Sequence, residues 1–270
     1  MLDQMITEDA KKKKRNLSMM WIDYKKAYDS IPHTWLVRIL KLYKIDEVTS
    51  RFIKQLMPTW CTKIYLLYAN GSITTDDIRY RRGIFQGDTL SPLLFCLCLV
   101  PITNILKREG FGYKIGKKKV SNSLYIDDLK VYAKDEIEME RCKTVIQEFS
   151  NDIMMEFGLD KCAVIHMKKG EVVNSPLIND IPLLTGDENY KYLGIIQADN
   201  ILHDKVKENT KKEYFGRVRS ILKKGVSAKN TTSAIKTFAM LILRYGYGVI
   251  KWTQNELRAI DCKTRNIVYT

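Results

Sequence analysis

Two adjacent carboxylates inside an apolar, β-prone stretch are the feature that most constrains the fold of this chain. Asp127 and Asp128 lie between the largely apolar segments 124–126 and 129–132. This pattern predicts a tight strand–turn–strand that holds both side chains against a hydrophobic sheet, where an isolated negative charge is costly. A divalent cation removes that cost, because Mg²⁺ binds one or two carboxylates together with substrate phosphates. An ordinary exposed hairpin turn is the alternative. For the other acidic pair, Asp76-Asp77, we expect a solvated strand or turn.

A third carboxylate, Asp23, is placed to complete such a site. It follows the apolar, strand-like run 19–22 and precedes a loop that leads into a helix beginning near Trp35. A second strand ending in a carboxylate would bring Asp23 to Asp127. Two metal ions about 4 Å apart there would activate an attacking 3′ hydroxyl and stabilise a departing pyrophosphate. Side chains take little part in the covalent chemistry of phosphoryl transfer, so positioning by the metals is sufficient.

A glycine-bounded loop, residues 83–92, leads into a predicted helix. Pro92 suits the first turn of this helix, which we expect to run to about Glu109. The backbone amides and the positive helix end suit a phosphate or the junction between a template and a nucleotide. A plain helix-entry turn is the alternative.

Hydrophobic periodicity elsewhere predicts a mixed α/β part followed by a helical part. Helices are expected over 34–57 (two short ones), 135–157, 203–224, 231–245 and 253–267, the last with a capping box at Thr253 and Glu256. Strands are expected over 63–80 (a hairpin at Asn70-Gly71), 113–132, 163–167 and 190–196.

Composition narrows the class of protein. The 45 basic and 31 acidic residues give a net charge of +14, which favours polyanionic partners because neutralised phosphates release counterions, although solvated lysine-rich faces are an alternative. Six cysteines without a CxxC pair predict no zinc site and no disulfide framework, but reduced and mostly buried thiols. The apolar run 90–106 is interrupted by polar residues and predicts a buried core helix. The basic run 11–15 precedes no signal-like segment, so we expect an intracellular protein of nucleus or cytoplasm, without a membrane partner.

Together these blocks resemble the reverse transcriptases, in detail those of non-LTR, LINE-type retrotransposons. The stretch 23–29 (D-x-x-x-A-Y-D) is similar to motif A of that family, 86–95 (QGDTLSPLLF) to motif B and 125–128 (Y-I-D-D) to motif C. Residues 157–162 resemble motif D, 190–194 motif E and 243–248 the thumb. The resemblance extends from about Ser18 to the C-terminus.

The resemblance implies roles for particular residues. Asp23, Asp127 and Asp128 would be the catalytic and metal-binding carboxylates, with Asp127 the stronger ligand of two Mg²⁺ (or Mn²⁺) ions. Substrate-binding roles would fall to Tyr28 (a steric gate against the ribose 2′ hydroxyl), Gln86 and Gly87 (nucleotide and template), and Lys161 (pyrophosphate). The primer grip would be Tyr192, Leu193 and Gly194, and thumb phosphate contacts would be Lys211, Lys212, Arg217, Arg219, Lys223 and Lys224.

Simpler readings stay open for several of these residues. Tyr28 suits a core aromatic, Lys161 a surface lysine, residues 192–194 an ordinary buried strand, and the thumb cations a solvated helix face. Asp29 is expected to brace the motif A turn.

The resemblance also implies an α+β fold: a right-hand polymerase palm, with an antiparallel sheet packed on helices, followed by a helical thumb. We expect a basic N-terminal segment at 1–17 that is a remnant of the fingers, a palm at 18–198 and a thumb or connection region at 199–270. Because the chain begins about twenty residues before motif A, we expect the fingers to be largely missing.

The implied function is RNA-directed DNA polymerisation. Its partners would be an RNA template, a DNA primer or target, and dNTPs. Because of the missing fingers, we expect a truncated copy with reduced activity. The alternatives are a catalytically inactive nucleic-acid-binding remnant and an intron maturase-like protein.

Overall fold

A computed structural model describes residues 2–174, 180–185 and 188–269. The chain divides into two compact units, which are described separately. One is Asp9–Thr185, and the other is Met1–Glu8 together with Gly186–Thr270. The predicted boundaries after residues 17 and 198 stay predictions.

A five-stranded antiparallel sheet is the centre of the larger unit, with β1 as its middle strand. Its order is β11-β10-β1-β9-β8. These strands are β1 (Leu17–Ile22), β8 (Asn122–Tyr125), β9 (Asp128–Ala133), β10 (Ala163–Lys168) and β11 (Glu171–Val173). All six residues of β1 are buried, so the strand lies in the interior on both faces, which explains its largely apolar sequence.

Helices cover the sheet face that carries Met20 and Val131. The helices of this unit and at its N-terminus are α1 (Leu2–Lys12), α2 (Ala27–Ser30), α3 (His33–Leu42), α4 (Glu47–Leu56), α5 (Ser91–Arg108) and α6 (Glu136–Asp152). The side chains of Leu36, Phe95 and Cys142 are fully buried in the same core. Burying a residue such as Phe95 stabilises the fold by about 1.5–3 kcal/mol.

Among the residues that the structure describes, α5 is long and apolar enough to cross a membrane, by length and composition alone. In this protein its residues Phe95, Leu99 and Ile102 are fully buried in the core, in agreement with the predicted core helix.

Smaller hairpins extend from the sheet. They comprise β2 (Cys61–Thr62) paired with β5 (Ile78–Arg79), β3 (Tyr65–Tyr68) with β4 (Gly71–Thr74), and β6 (Tyr113–Ile115) with β7 (Lys118–Val120). The hairpin predicted at Asn70-Gly71 is the β3–β4 pair. Asp76 and Asp77 are exposed, as expected.

The helix predicted over 135–157 is shorter than the sequence suggested. Asp135 caps its N-terminus by accepting from the Glu138 N–H at 2.8 Å, but the helix ends at Asp152. Met154 takes a left-handed φ of 56°, and the next amide returns to the carbonyl of Ser150, which closes the helix. Phe157 is thereby free to pair in extended form with Tyr24.

The α1 helix occupies most of the basic N-terminal segment. One other expectation, that of mostly buried cysteines, needs correction. Of the six free cysteines, Cys98, Cys142 and Cys162 are buried, whereas Cys61 and Cys262 are exposed, so burial is less general than predicted.

The second unit is mainly helical after a short hairpin. It contains β12 (Tyr190–Tyr192), β13 (Ile195–Gln197), α7 (His203–Leu222), α8 (Ala228–Ala234), a π-helical segment (Ile235–Ala239), α9 (Met240–Gly246) and α10 (Gln254–Tyr269). Tyr214, Val218, Leu243 and Ile260 form the core of these helices. The predicted capping box is present, because Thr253 N–H donates to Glu256 Oε2 at 2.8 Å and Glu256 N–H donates to Thr253 Oγ1 at 3.3 Å.

Candidate active site

Asp23 directly follows the central strand β1, at the end of the sheet where the chain leaves that strand. In the antiparallel register of β1 and β9, Ile22 pairs with Leu129. The next positions in that register are Asp23 and Asp128. Residues far apart in the sequence therefore meet because β1 and β9 are neighbours, as the sequence predicted.

A two-residue turn joins β8 to β9 and carries Asp127. Tyr125 pairs with Asp128 across the hairpin, so that Ile126 and Asp127 form the turn. Ile126 has a left-handed φ of 54°. A β-branched residue rarely takes this conformation, because its Cβ crowds the following carbonyl. The turn is therefore strained, and the flanking strands hold it.

Burial and neighbouring negative charge raise the pKa of two of the three carboxylates, Asp23 and Asp128. Desolvation by burial raises the pKa of Asp23, with Asp127 raising it further and Lys161 lowering it. Desolvation also raises the pKa of Asp128, followed by the negative charges of Asp127 and Asp23. The site is therefore short of positive charge when all three groups are ionised.

Within residues 2–174, 180–185 and 188–269, no three His, Cys, Asp or Glu side chains are grouped closely enough to hold a metal ion. The sheet brings Asp23 close to the Asp127-Asp128 turn, but the carboxylates are not yet arranged as ligands of one metal ion.

Residues of the motif D loop pack directly against Asp23. The Gly158 N–H donates to the Asp23 carbonyl at 2.8 Å, and the Cys162 thiol contacts the same oxygen at 3.7 Å. Lys161 Nζ lies 3.7 Å from Asp23 Oδ2, with 68% of its side chain exposed. A Cβ at Gly158 would lie 3.1 Å from Asp23 Oδ2, so the absence of a side chain there permits this close approach.

Tyr28 lies on α2, near enough to Asp127 to feel its charge. Its ring stacks on Phe95 with centroids 5.0 Å apart. Burial raises the pKa of Tyr28, and the charge of Asp127 contributes to the same shift. Tyr28 is thus half-buried on the core and also near the acidic turn, which accommodates both the gate and the core-aromatic interpretations.

Backbone hydrogen bonds tie the start of the motif B loop to this region. Gly83 N–H donates to the Ile31 carbonyl at 2.7 Å, and Ile84 N–H donates to the Tyr28 carbonyl at 2.9 Å. A Cβ at Gly83 would lie 2.9 Å from the backbone of Asp29. Asp29 therefore contributes to the loop contact through its main chain.

The far part of that loop is open to solvent. Gln86 and Gly87 are exposed, and Gly87 has a φ of 90°, which suits glycine. Phe85 anchors the loop by packing edge-on against Trp60 and Tyr80.

A cavity of about 440 Å³ adjoins Asp23. Its walls include Lys25, Lys26, Arg82 and Lys161 as well as acidic groups. Apart from Lys161, these basic residues were not among the predicted site residues. The adjacent Lys25 and Lys26 inside motif A were the signal that could have identified them.

The predicted primer grip lies in the second unit. Tyr192 is buried at the end of β12, and Leu193 and Gly194 form the turn to β13 with φ values of 47° and 73°. Leu193 and Gly194 therefore form a tight hairpin turn, whereas Tyr192 is a buried strand residue.

The predicted thumb cations have different surroundings. Lys211, Lys212 and Arg219 line a groove of about 410 Å³ with Lys263 and the ring of Phe215. Arg217 instead pairs with Glu213 at 2.7 Å and donates to the Phe238 carbonyl. Lys223 and Lys224 are exposed at the end of α7.

Comparison with known protein families gives a match over residues 1–197. The matching family is described as reverse transcriptase (RNA-dependent DNA polymerase).

Curated relatives are proteins of retrotransposable elements. The chain is 29% identical over 203 residues to a Pol polyprotein of the type-1 element R2 from Popillia japonica, covering 72% of this chain and 28% of that protein. It is 25% identical over 184 residues to the type-2 element R2DM of Drosophila melanogaster, covering 64% and 17%. The chain thus spans less than a third of each of these relatives, and they agree with the non-LTR resemblance.

Solved structures of telomerase share the fold. Apo telomerase from Candida tropicalis matches 99% of this chain and 49% of its own, with a TM-score of 0.52 and 10% identity. A form truncated from the C-terminal domain matches 72% and 37%, with a TM-score of 0.50 and 13% identity. The predicted α+β, palm-like fold is confirmed.

Proposed function

Because this chain belongs to the reverse transcriptase family, we propose that it extends a DNA primer by adding dNTPs against an RNA template, as the polymerase part of a non-LTR retrotransposon protein. The proposal depends on one observation: Asp23, at the end of β1, lies beside the Asp127-Asp128 turn at the start of β9. The raised pKa values of Asp23 and Asp128, to which the charge of Asp127 contributes, support a shared site.

The donor set fits a divalent cation. Asp23 and Asp128 are partly desolvated and feel the negative charge of Asp127, so a positive charge among the three carboxylates would relieve the cost of ionising them. Asp23, Asp127 and Asp128 would hold Mg²⁺ or Mn²⁺. When bound, such ions supply the charge that activates a primer hydroxyl and neutralises departing pyrophosphate.

Other residues of the site then have positioning roles. The Tyr28 ring is fixed by its stack on Phe95 and would exclude a ribose 2′ hydroxyl from the site. Lys161, beside Asp23, would hold positive charge near the pyrophosphate and supply a proton to it. Exposed Gln86 and Gly87 would contact the nucleotide and the template strand.

Binding of the nucleic acid itself would involve the second unit. The turn at 192–194 would hold the primer end. The groove with Lys211, Lys212, Arg219 and Lys263 would bind backbone phosphates, an interaction that weakens as salt is raised.

The decisive experiment compares wild-type chain with Asp127→Asn on a primed RNA template. Asp76→Asn is the matched control, since Asp76 belongs to the exposed acidic pair outside the site. Extension should persist in wild type and in the control and fall by at least about 1000-fold in Asp127→Asn, because positioning and charge stabilisation provide most of the catalysis. Equal template binding by all three proteins without extension by any would instead identify an inactive nucleic-acid-binding remnant.

A further inference from the structure

The turn between β12 and β13 is held from outside the hairpin by a side chain of α9. Tyr245 Oη donates to the Leu193 carbonyl at 2.8 Å. Its ring also lies over the neighbouring residue, where a Cβ on Gly194 would be 3.3 Å from Tyr245 Cε1. Two different atoms of Tyr245 thus fix two successive residues of the turn.

The turn itself is a conformation that needs support. Leu193 and Gly194 both have positive φ, at 47° and 73°. For Leu193 this backbone conformation is unfavourable, because only glycine adopts it without steric cost. A hydrogen bond to the Leu193 carbonyl orients the peptide that follows it, which is the part of the turn most free to rotate.

The backbone of Tyr245 is also held in place, by its helix. Its helix, α9 (Met240–Gly246), is anchored by Leu243, which is 2% exposed in the helical core. The Tyr245 side chain itself is 67% exposed. An exposed ring adds little burial free energy, so its removal should leave the fold largely intact and its effect on the turn can be measured separately.

We propose that Tyr245 is a positioning residue for primer binding: it holds the Leu193–Gly194 turn in the single conformation that receives the primer end. The inference rests on the proposed function, because it takes this turn to be the primer grip. It links the grip to the helical core through one side chain, which the sequence placed only within the thumb-like segment 243–248.

The test uses Tyr245→Phe, which removes only the hydroxyl, and Tyr245→Ala, which also removes the ring. Tyr247→Phe and Tyr247→Ala are matched controls, since Tyr247 is another exposed tyrosine of the same region. The dissociation constant for primed RNA and the KM for primer should rise about fivefold in Tyr245→Phe, as expected for one hydrogen bond, and further in Tyr245→Ala. The KM for dNTP and kcat at saturating primer should stay within about twofold.

A double mutant supplies a second readout. Gly194→Ala is strained by its φ and by contact with the Tyr245 ring. In the Tyr245→Ala background the ring contact is absent, so Gly194→Ala should weaken primer binding less than it does in wild type.

The outcomes separate this inference from the proposed function. Wild-type binding without extension counts against the polymerase proposal, while the binding series still tests Tyr245. Primer affinities in the Tyr245 variants equal to those of the Tyr247 controls would overturn the positioning role. Equal losses in primer KM, dNTP KM and kcat would also overturn it, since they indicate general structural damage.

Discussion

Replacing Gly158 by alanine should move the Asp23 carboxylate without unfolding the protein. The new Cβ would lie 3.1 Å from Asp23 Oδ2, which is closer than ordinary van der Waals contact. The φ of Gly158 is −83°, so alanine is compatible with the backbone. The carboxylate of Asp23, which is 25% exposed, must therefore retreat by a few tenths of an ångström.

The expected magnitudes differ for stability and for activity. Alanine restricts the unfolded chain, which favours folding by about 0.4–1 kcal/mol, and this roughly offsets the close contact. The net change should stay within about 1 kcal/mol. A misplacement of about 1 Å can cost about 100-fold in rate, so a shift of a few tenths of an ångström should cost roughly three- to tenfold in kcat.

The assay combines urea unfolding, primer extension at saturating substrates, and Mn²⁺ titration. Gly216→Ala is the control, because no atom lies within 4 Å of its added Cβ and alanine is favoured inside a helix. A stable Gly158→Ala protein with wild-type kcat and Mn²⁺ affinity would refute the reasoning that the position of Asp23 limits the reaction.

Three further predictions concern charge and capping. Asp128→Asn should stabilise the fold at neutral pH, because a raised folded-state pKa means that the ionised carboxylate opposes folding. This gain should begin to fall as the pH drops below the raised folded-state pKa and should be gone below the ordinary pKa of the unfolded chain; urea unfolding at several pH values measures it, and a gain that does not change with pH would contradict it. Lys161→Gln should raise the pKa of Asp23 further, so the acid side of the pH–rate profile should move to higher pH, and an unmoved profile would exclude the ion pair in solution. Thr253→Ala should cost about 1 kcal/mol, because it removes the capping hydroxyl, and thermal unfolding with no loss would show that the cap contributes nothing.

Much of the palm was predictable because its elements have strong local patterns. The acidic turn, the core helix Ser91–Arg108 and the capping box of the last helix are determined by neighbouring residues in the sequence. The pairing of β1 with β9 could be inferred because one apolar strand is followed by a carboxylate and the other begins with one.

Other features depend on contacts that no local pattern reveals. The helix after Asp135 ends at Asp152 because Phe157 is buried against Tyr24, 133 positions earlier in the chain. The contact of Tyr245 with Leu193 likewise joins distant segments. Local periodicity carries no information about such pairs, so they emerge only from the folded chain.

The left-handed Ile126 gives a way to tell an active enzyme from a chain under no catalytic selection. A non-glycine residue in that conformation costs about 1–2 kcal/mol, which asparagine or glycine at the same position would largely recover. Libraries selected only for resistance to proteolysis should therefore replace Ile126, whereas libraries selected for DNA synthesis should retain it. The side chain at this one position would report which of the two pressures had shaped the chain.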